Sequence, residues 1–145
     1  MSMSQREKII AVLLFPMLVI YGMYFSHVLR NVGQSQFAGD ALYRLFVAVV
    51  AIIMFEVIYH VAAPPKGVQP EPKDERDVFI ELKAYRNGYF AYGTGAFLVI
   101  SMAIVAGLAH ISVTPFLVVN LVLLSMVLAE VVKFGTQLLY YRKEA

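Results

Sequence analysis

Two glutamates with related local sequences lie inside long apolar stretches of the chain. Glu56 follows Ala-Ile-Ile-Met-Phe, Glu130 follows Ser-Met-Val-Leu-Ala, and a valine comes after each of them. A carboxylate at the centre of a membrane helix costs roughly 2.5 to 3.5 kcal/mol. Such groups face the interior of a helix bundle, where they pair with a cation or hold a proton, an ion or a polar ligand.

Polar neighbours distinguish the two glutamates. On a helix, His60 lies one turn beyond Glu56, and Lys133 lies one turn beyond Glu130, with Asn120 earlier on the same helix. We predict that these five residues form a polar region, which is either a set of structural pairs or a site for a proton, a cation or a polar ligand. Glu130 has a lysine countercharge, which favours the structural role. Glu56 has only a titratable histidine, which favours function.

Two other histidines, His27 and His110, lie near the outer ends of the first and third apolar stretches. Facing each other, they could ligate a haem or help to bind a metal. This electron-transfer function is a further alternative, and beyond it the sequence assigns no cofactor. Cysteine is absent, which excludes thiol catalysis and thiolate metal sites. No catalytic motif appears, so the sequence favours a protein that is not an enzyme.

Four apolar stretches carry these residues, at 9–29, 45–63, 89–110 and 116–140. About 20 apolar residues cross a bilayer core of roughly 30 Å, and each stretch is about that long. Hydrophobic residues make up 60% of the chain, well above the soluble average of about 45–50%. We therefore predict an all-α polytopic membrane protein, one four-helix transmembrane domain over 1–145. Its helices would form two antiparallel hairpins. The related segments around the two glutamates suggest that these hairpins are a pseudo-twofold repeat.

Lysine and arginine are distributed unevenly between the two predicted sides. The side with both termini and the middle connection carries nine of them, whereas the other side carries only Arg30 and Arg44. Cytoplasmic loops of membrane proteins are enriched in these residues. We predict a prokaryotic inner-membrane protein with both termini in the cytoplasm. The net charge of +2, without a basic stripe, argues against nucleic acid as a partner.

Local chemistry predicts how several helices begin and pack. Asp40 can cap the second helix, and Thr114 with Pro115 can form the cap and first position of the fourth. The third stretch carries small residues that permit close helix packing. They are Gly93, Gly95, Ala96, Ala103 and Gly107.

The segment 64–88 is predicted to be a cytoplasmic linker followed by a juxtamembrane helix. Its first part is rich in proline and favours an extended chain. The part from 73 to 86 begins with acidic and ends with basic residues, as the helix dipole favours, and can continue into the third span. Val78, Leu82, Tyr85 and Tyr89 form an apolar stripe. The charged residues predicted to dock a partner are Asp74, Arg76, Asp77, Lys83 and Arg86.

The run Asp74-Glu-Arg-Asp77, followed by Ile80 and Lys83-Ala84, resembles a D-E-R-[DE]-x-x-I-x-x-K-A cytoplasmic segment. That segment belongs to a family of small predicted prokaryotic membrane proteins with paired helical hairpins and no characterised function. The resemblance covers this short segment and the hydropathy layout. It implies a four-helix inner-membrane protein and carries over no catalytic residues.

Two functional hypotheses remain. The first is a non-enzymatic membrane subunit, scaffold or regulator, with buried polar residues between the second and fourth spans. Its partners would be the bilayer and either another protein or further copies of the chain. The second is a small proton- or cation-coupled transporter, or a ligand-binding protein, that uses Glu56 and Glu130.

Overall fold

The computed structural model describes residues 5–31, 37–62 and 74–143, and their regular secondary structure is helical throughout. The helices are α1 (Gln5–Asn31), α2 (Phe37–Ala62), α3 (Glu75–Leu108) and α4 (Pro115–Lys143). The all-α prediction is confirmed for this part of the chain. Three helices, α1, α3 and α4, are long and apolar enough to cross a membrane. The unbroken run of described side chains in α2, 39–55, is too short to be assigned as a membrane-crossing helix.

The chain divides into two compact units, 1–78 and 79–145. In the first unit, α1 and α2 contact each other. Tyr24, Phe25 and Val28 are buried near the end of α1. Ala41 and Ala48, two turns apart on α2, are buried as well, which fits the close helix approach that small residues allow.

In the second unit, α3 and α4 approach each other at two glycines. A Cβ atom added to Gly88 would lie 3.1 Å from the carbonyl oxygen of Ala129, and one added to Gly95 would lie 2.7 Å from Ser125 Oγ. Neither position has room for a side chain without a shift of its neighbours. Contacts further along α3 are made to residues earlier on α4, so the two helices run in opposite directions in this unit.

The predicted packing face of α3 is therefore correct at one position and incomplete at others. Gly95 makes the close contact that its size allows. A Cβ added to Gly93 or Gly107 would have no described neighbour within 4 Å. Gly88, which lies before the predicted set, does make a close contact with α4. The contact line thus begins about two turns before Gly95, inside the segment predicted to be juxtamembrane.

Two helix starts were predicted from sequence, with different outcomes. Helix α4 begins at Pro115, and Thr114 Oγ1 accepts a hydrogen bond from the Leu117 amide at 3.3 Å, which confirms the predicted cap. Helix α2 begins at Phe37, so the prediction that Asp40 caps it is wrong. Asp40 lies inside the first turn, where its carboxylate is available to side-chain donors instead.

Helix α3 begins with a reciprocal capping arrangement. The Asp77 amide donates to Asp74 Oδ1 at 2.7 Å, and the Asp74 amide donates to Asp77 Oδ2 at 3.1 Å. Two amides that the helix leaves unpaired are satisfied in this way. The helix then continues unbroken to Leu108. The predicted continuity of the charged helical segment with the third apolar stretch is confirmed.

Helix α3 ends at Leu108, two residues before the predicted end of the third apolar stretch at residue 110. His110 has a φ of 56°, in the left-handed region. Its amide donates to the Gly107 carbonyl at 3.2 Å, and the Ile111 amide donates to the Ala106 carbonyl at 2.8 Å. These two bonds form a Schellman motif, which satisfies the last carbonyls and reverses the chain.

Candidate functional site

A cleft of about 280 Å³ lies between α3 and α4 in the second unit. Helix α3 contributes aromatic side chains around a glycine, and α4 contributes an ion pair beside two apolar residues. The lining residues are Tyr85, Gly88, Tyr89, Tyr92, Met126, Ala129, Glu130 and Lys133. The cleft is open on one side and brings together two of the predicted site residues, Glu130 and Lys133.

The spacing of the residues on α3 explains why a cleft forms here. Tyr85, Tyr89 and Tyr92 follow one another at four and three residues, so they share one helix face. Gly88 lies among them and has no side chain, so the backbone of α4 approaches it closely. The three tyrosine rings beside this close contact line an open depression between the helices.

Glu130 and Lys133 form an ion pair one turn apart on α4. The Lys133 side chain is only 15% exposed, whereas the Glu130 side chain is 48% exposed. Lys133 Nζ also lies 5.2 Å from the centroid of the Tyr85 ring and 4.7 Å from that of the Phe134 ring. Both distances permit a cation–π interaction. The ammonium is therefore held from several sides, while the carboxylate keeps an open side and further acceptor capacity.

The contacts with α3 fix the level of this ion pair along the helices. Gly88 lies against Ala129 and Lys133. Leu108, at the far end of α3, lies twenty residues beyond Gly88, or about 30 Å at 1.5 Å per residue. That distance is about the thickness of a bilayer core. The pair therefore lies level with one end of the apolar part of α3, together with the tyrosines.

Asn120 does not join this cluster. It is buried, and its Nδ2 donates to the carbonyl oxygen of Phe116 at 2.9 Å within α4. Of the five residues predicted to share a polar region, the structure thus brings together Glu130 and Lys133 and separates Asn120 from them. The side chains of Glu56 and His60 lie outside the described residues, so their part in the region stays a prediction.

The charged residues predicted to dock a partner have mixed roles. Asp74 and Asp77 cap α3. Lys83 Nζ lies 4.1 Å from the centroid of the Phe79 ring and 4.8 Å from that of the Tyr140 ring on α4. The two arginines, Arg76 and Arg86, are exposed.

The predicted apolar stripe on α3 lies on the exposed side of the helix. Val78, Leu82, Tyr85 and Tyr89 are all exposed, and Tyr89 reaches 74%. The buried face consists of Ile80, Ala84 and Gly88, at intervals of four residues. The stripe was identified by size and hydrophobicity, whereas close helix contact selects small residues. The large side chains of the stripe therefore stay largely exposed.

His27 belongs to a hydrogen-bonded network that joins α1 to the start of α2. Its Nε2 lies 2.8 Å from Asp40 Oδ2, and Arg44 Nε donates to the same oxygen at 2.8 Å. Asn31 Nδ2 donates to the His27 carbonyl at 2.8 Å. The hydrogen bonds from Arg44 and then from His27 lower the pKa of Asp40 below its ordinary value.

Both histidines of the haem hypothesis thus have local structural roles. His27 binds Asp40 in the first unit, and His110 forms the left-handed turn position in the second. Among the described residues, no group of three or more histidine, cysteine or acidic side chains could hold a metal ion. A haem between His27 and His110 stays a prediction.

Sequence reasoning missed several residues that shape the cleft. Tyr89 was assigned to the apolar stripe, and Gly88 was not singled out. The hydrogen bond from Asn87 Nδ2 to Thr136 Oγ1, 3.4 Å long, also joins α3 to α4. A glycine between tyrosines on one helix face was the available signal, but the partner residues on α4 had no signal of their own.

No protein-family model matches the chain, and comparisons with curated proteins and with solved structures found no similar protein.

Proposed function

We propose that this protein is a non-enzymatic integral membrane subunit, scaffold or regulator, in which α3 presents a rigid cytoplasmic extension to a partner. The four helices cross the inner membrane of a prokaryote as two antiparallel hairpins, with both termini in the cytoplasm. The excess of lysine and arginine on that side supports this orientation. The three helices that are long and apolar enough to cross a membrane support the membrane location.

The continuity of α3 is the observation that carries the proposal. One helix of 34 residues includes both the charged segment and the apolar span. From Glu75 to Gly88 the helix rises about 20 Å before the apolar part begins. An extension of this kind transmits a force or a position to the membrane helix, because it contains no flexible joint.

The surface of the extension suits a protein partner. Phe79 and Leu82 are 55% and 62% exposed, and the exposed arginines Arg76 and Arg86 lie on the same extension. Apolar side chains in a polar, charged surround are typical of the centre and rim of a protein interface. On the cytoplasmic side of the membrane, these exposed apolar side chains are accessible to a protein partner.

Site-specific photocrosslinking in native membranes tests the proposal. A photoreactive amino acid at Leu82 samples the extension, and one at Ile104, which is also exposed, samples the lipid-facing part of the same helix. We expect a discrete crosslink to one protein from position 82 and lipid adducts from position 104. Replacing Arg76 and Arg86 by alanine should weaken the crosslink at position 82.

Two differently tagged copies of the chain identify the partner as another protein or as a further copy. A crosslink that joins the two tags assigns the extension to a homo-oligomer. Equal, diffuse adducts from positions 82 and 104 would contradict the proposal.

A second candidate function has one specific observation in its favour. Glu130 lines the α3–α4 cleft with an open side to its carboxylate. A proton- or cation-coupled transporter that uses Glu130 together with Glu56 would need such an accessible carboxylate. In proteoliposomes, Glu130→Gln should then abolish coupled flux, while Glu75→Gln on the exposed start of α3 should not. Absence of flux with the wild-type protein would exclude this function.

A further inference from the structure

We propose that the α3–α4 cleft binds the headgroup of a zwitterionic phospholipid that carries a primary ammonium group. This inference rests on the membrane placement proposed above but not on the partner of α3. The cleft volume of about 280 Å³ is close to the lower limit of roughly 300 Å³ for small-molecule pockets. It therefore suits a headgroup, with the acyl chains outside the cleft.

The level of the cleft matches the position of a headgroup. Gly88 and the Glu130–Lys133 pair lie about one bilayer thickness from Leu108. Tyr85, with its ring beside Lys133, is the kind of residue that is enriched at a membrane interface. The polar headgroups of the lipids lie at that level, next to the ester-linked start of the acyl chains.

The charges of the cleft are complementary to a zwitterion. Its two charged lining residues are Glu130 and Lys133, so its formal charge is balanced. The Glu130 carboxylate keeps free acceptor positions on its exposed side for the three donors of a primary ammonium. Lys133 shares its ammonium with Glu130 and has further donors for a phosphate oxygen. The ammonium of the headgroup would thus lie beside Glu130, and its phosphate would lie beside Lys133.

The same two charged residues disfavour other headgroups, through charge repulsion or through the loss of a hydrogen bond. A headgroup with only negative charge would place that charge beside the Glu130 carboxylate, which disfavours it. A quaternary ammonium has no N–H donor, so it loses the hydrogen bond to Glu130 and retains only contacts with the tyrosine rings. Met126 and Tyr92, at the end of the cleft toward the apolar span, provide a surface for the start of an acyl chain.

Native mass spectrometry of the detergent-solubilised full chain tests this directly. The probe is an equimolar mixture of phosphatidylethanolamine, phosphatidylcholine and phosphatidylglycerol with identical acyl chains. We expect the ethanolamine lipid to be retained about tenfold more than either other lipid, the ratio expected from one charge-assisted hydrogen bond. This measurement needs no variant, so it remains informative if a substitution impairs folding.

Two variants separate the roles of the charged residues. Glu130→Gln should bring the ratio of ethanolamine to choline lipid close to one, because the ammonium loses its charged acceptor. Lys133→Met should weaken both zwitterionic lipids, because the phosphate loses its donor. Glu75→Gln and Lys143→Met change the same residue types at exposed positions outside the cleft and should leave the wild-type ratio unchanged.

Equal retention of the three lipids, a preference for phosphatidylglycerol, or unchanged selectivity in Glu130→Gln would overturn the proposal. The crosslinking experiment at Leu82 is independent of these outcomes. Lipid selectivity without a crosslinked partner would reject only the scaffold function, and a partner without lipid selectivity would reject only the lipid site.

Discussion

The contact between Gly95 and Ser125 gives the sharpest test of how α3 packs on α4. A Cβ at position 95 would lie 2.7 Å from Ser125 Oγ and 2.8 Å from Ser125 Cβ, closer than real atoms approach. Gly95→Ala therefore forces the helices apart or moves Ser125. Overpacking of this kind typically costs about 1–3 kcal/mol. Gly93→Ala is the matched control, because no described atom lies within 4 Å of its added Cβ.

The expected magnitude follows from two opposing terms. Replacing a helical glycine by alanine gains up to about 1 kcal/mol of helix propensity at either position. Gly93→Ala should thus be neutral or slightly stabilising, whereas Gly95→Ala should be less stable than Gly93→Ala by about 1–3 kcal/mol. Ser125→Gly removes both crowded atoms, so in a double-mutant cycle it should recover about 0.5–3 kcal/mol of the Gly95→Ala loss.

Unfolding of the detergent-solubilised protein by increasing mole fractions of a denaturing detergent measures these differences. A dye pair on cysteines introduced at the ends of α3 and α4 reports separation of the helices, since the natural chain has no cysteine. Equal stability of Gly93→Ala and Gly95→Ala would refute the close contact. An unaltered Gly95→Ala loss after Ser125→Gly would assign the loss to another cause.

Three further perturbations have defined outcomes. The pKa of Asp40 is lower in the folded protein than its ordinary value of 3.8, so its carboxylate stabilises the folded first unit at pH values above 3.8. This stabilisation is lost as the pH falls through the pKa of the folded state. Asp40→Asn should therefore remove this acid dependence when unfolding is measured as a function of pH. The Lys133 side chain is much less exposed than that of Glu130, so removing its countercharge leaves a largely buried ammonium unpaired. Glu130→Gln should therefore destabilise the second unit by about 1 kcal/mol more than Lys133→Met. The reverse order would show that Lys133 is not the more buried charge of the pair. His110→Gly should raise stability by about 1 kcal/mol, since glycine adopts the φ of 56° without strain; a loss of stability would mean that the imidazole itself contributes a contact or binds a cofactor.

Hydropathy and capping chemistry predicted much of the local structure. The start of α4 at Pro115, the cap at Thr114 and the continuity of α3 follow from features within a few residues of one another. The start of α2 was misplaced because Asp40 is a good capping residue, but its carboxylate has stronger partners in Arg44 and His27. Helix α2 extends one turn before Asp40, so a good capping residue does not by itself fix where a helix begins.

The cleft was predicted only in part, for a physical reason. Glu130 and Lys133 are close in sequence on one helix, so their ion pair could be anticipated. The tyrosine wall and Gly88 lie on another helix, and their distance from Glu130 depends on how α3 and α4 align. That alignment is determined by the close contacts at Gly88 and Gly95, which no residue pattern in α4 signals.

Membrane crossing by α3 is measured most directly by the accessibility of its two ends. Single cysteines at Glu75 and Ser112 flank the helix and are exposed positions in a chain with no other cysteine. In intact spheroplasts, a membrane-impermeant maleimide should label Ser112→Cys at once and Glu75→Cys only after the membrane is opened. Inverted vesicles should give the opposite order. Labelling of both positions from the same side would contradict a transmembrane α3 with a cytoplasmic extension, and with it the proposed docking function.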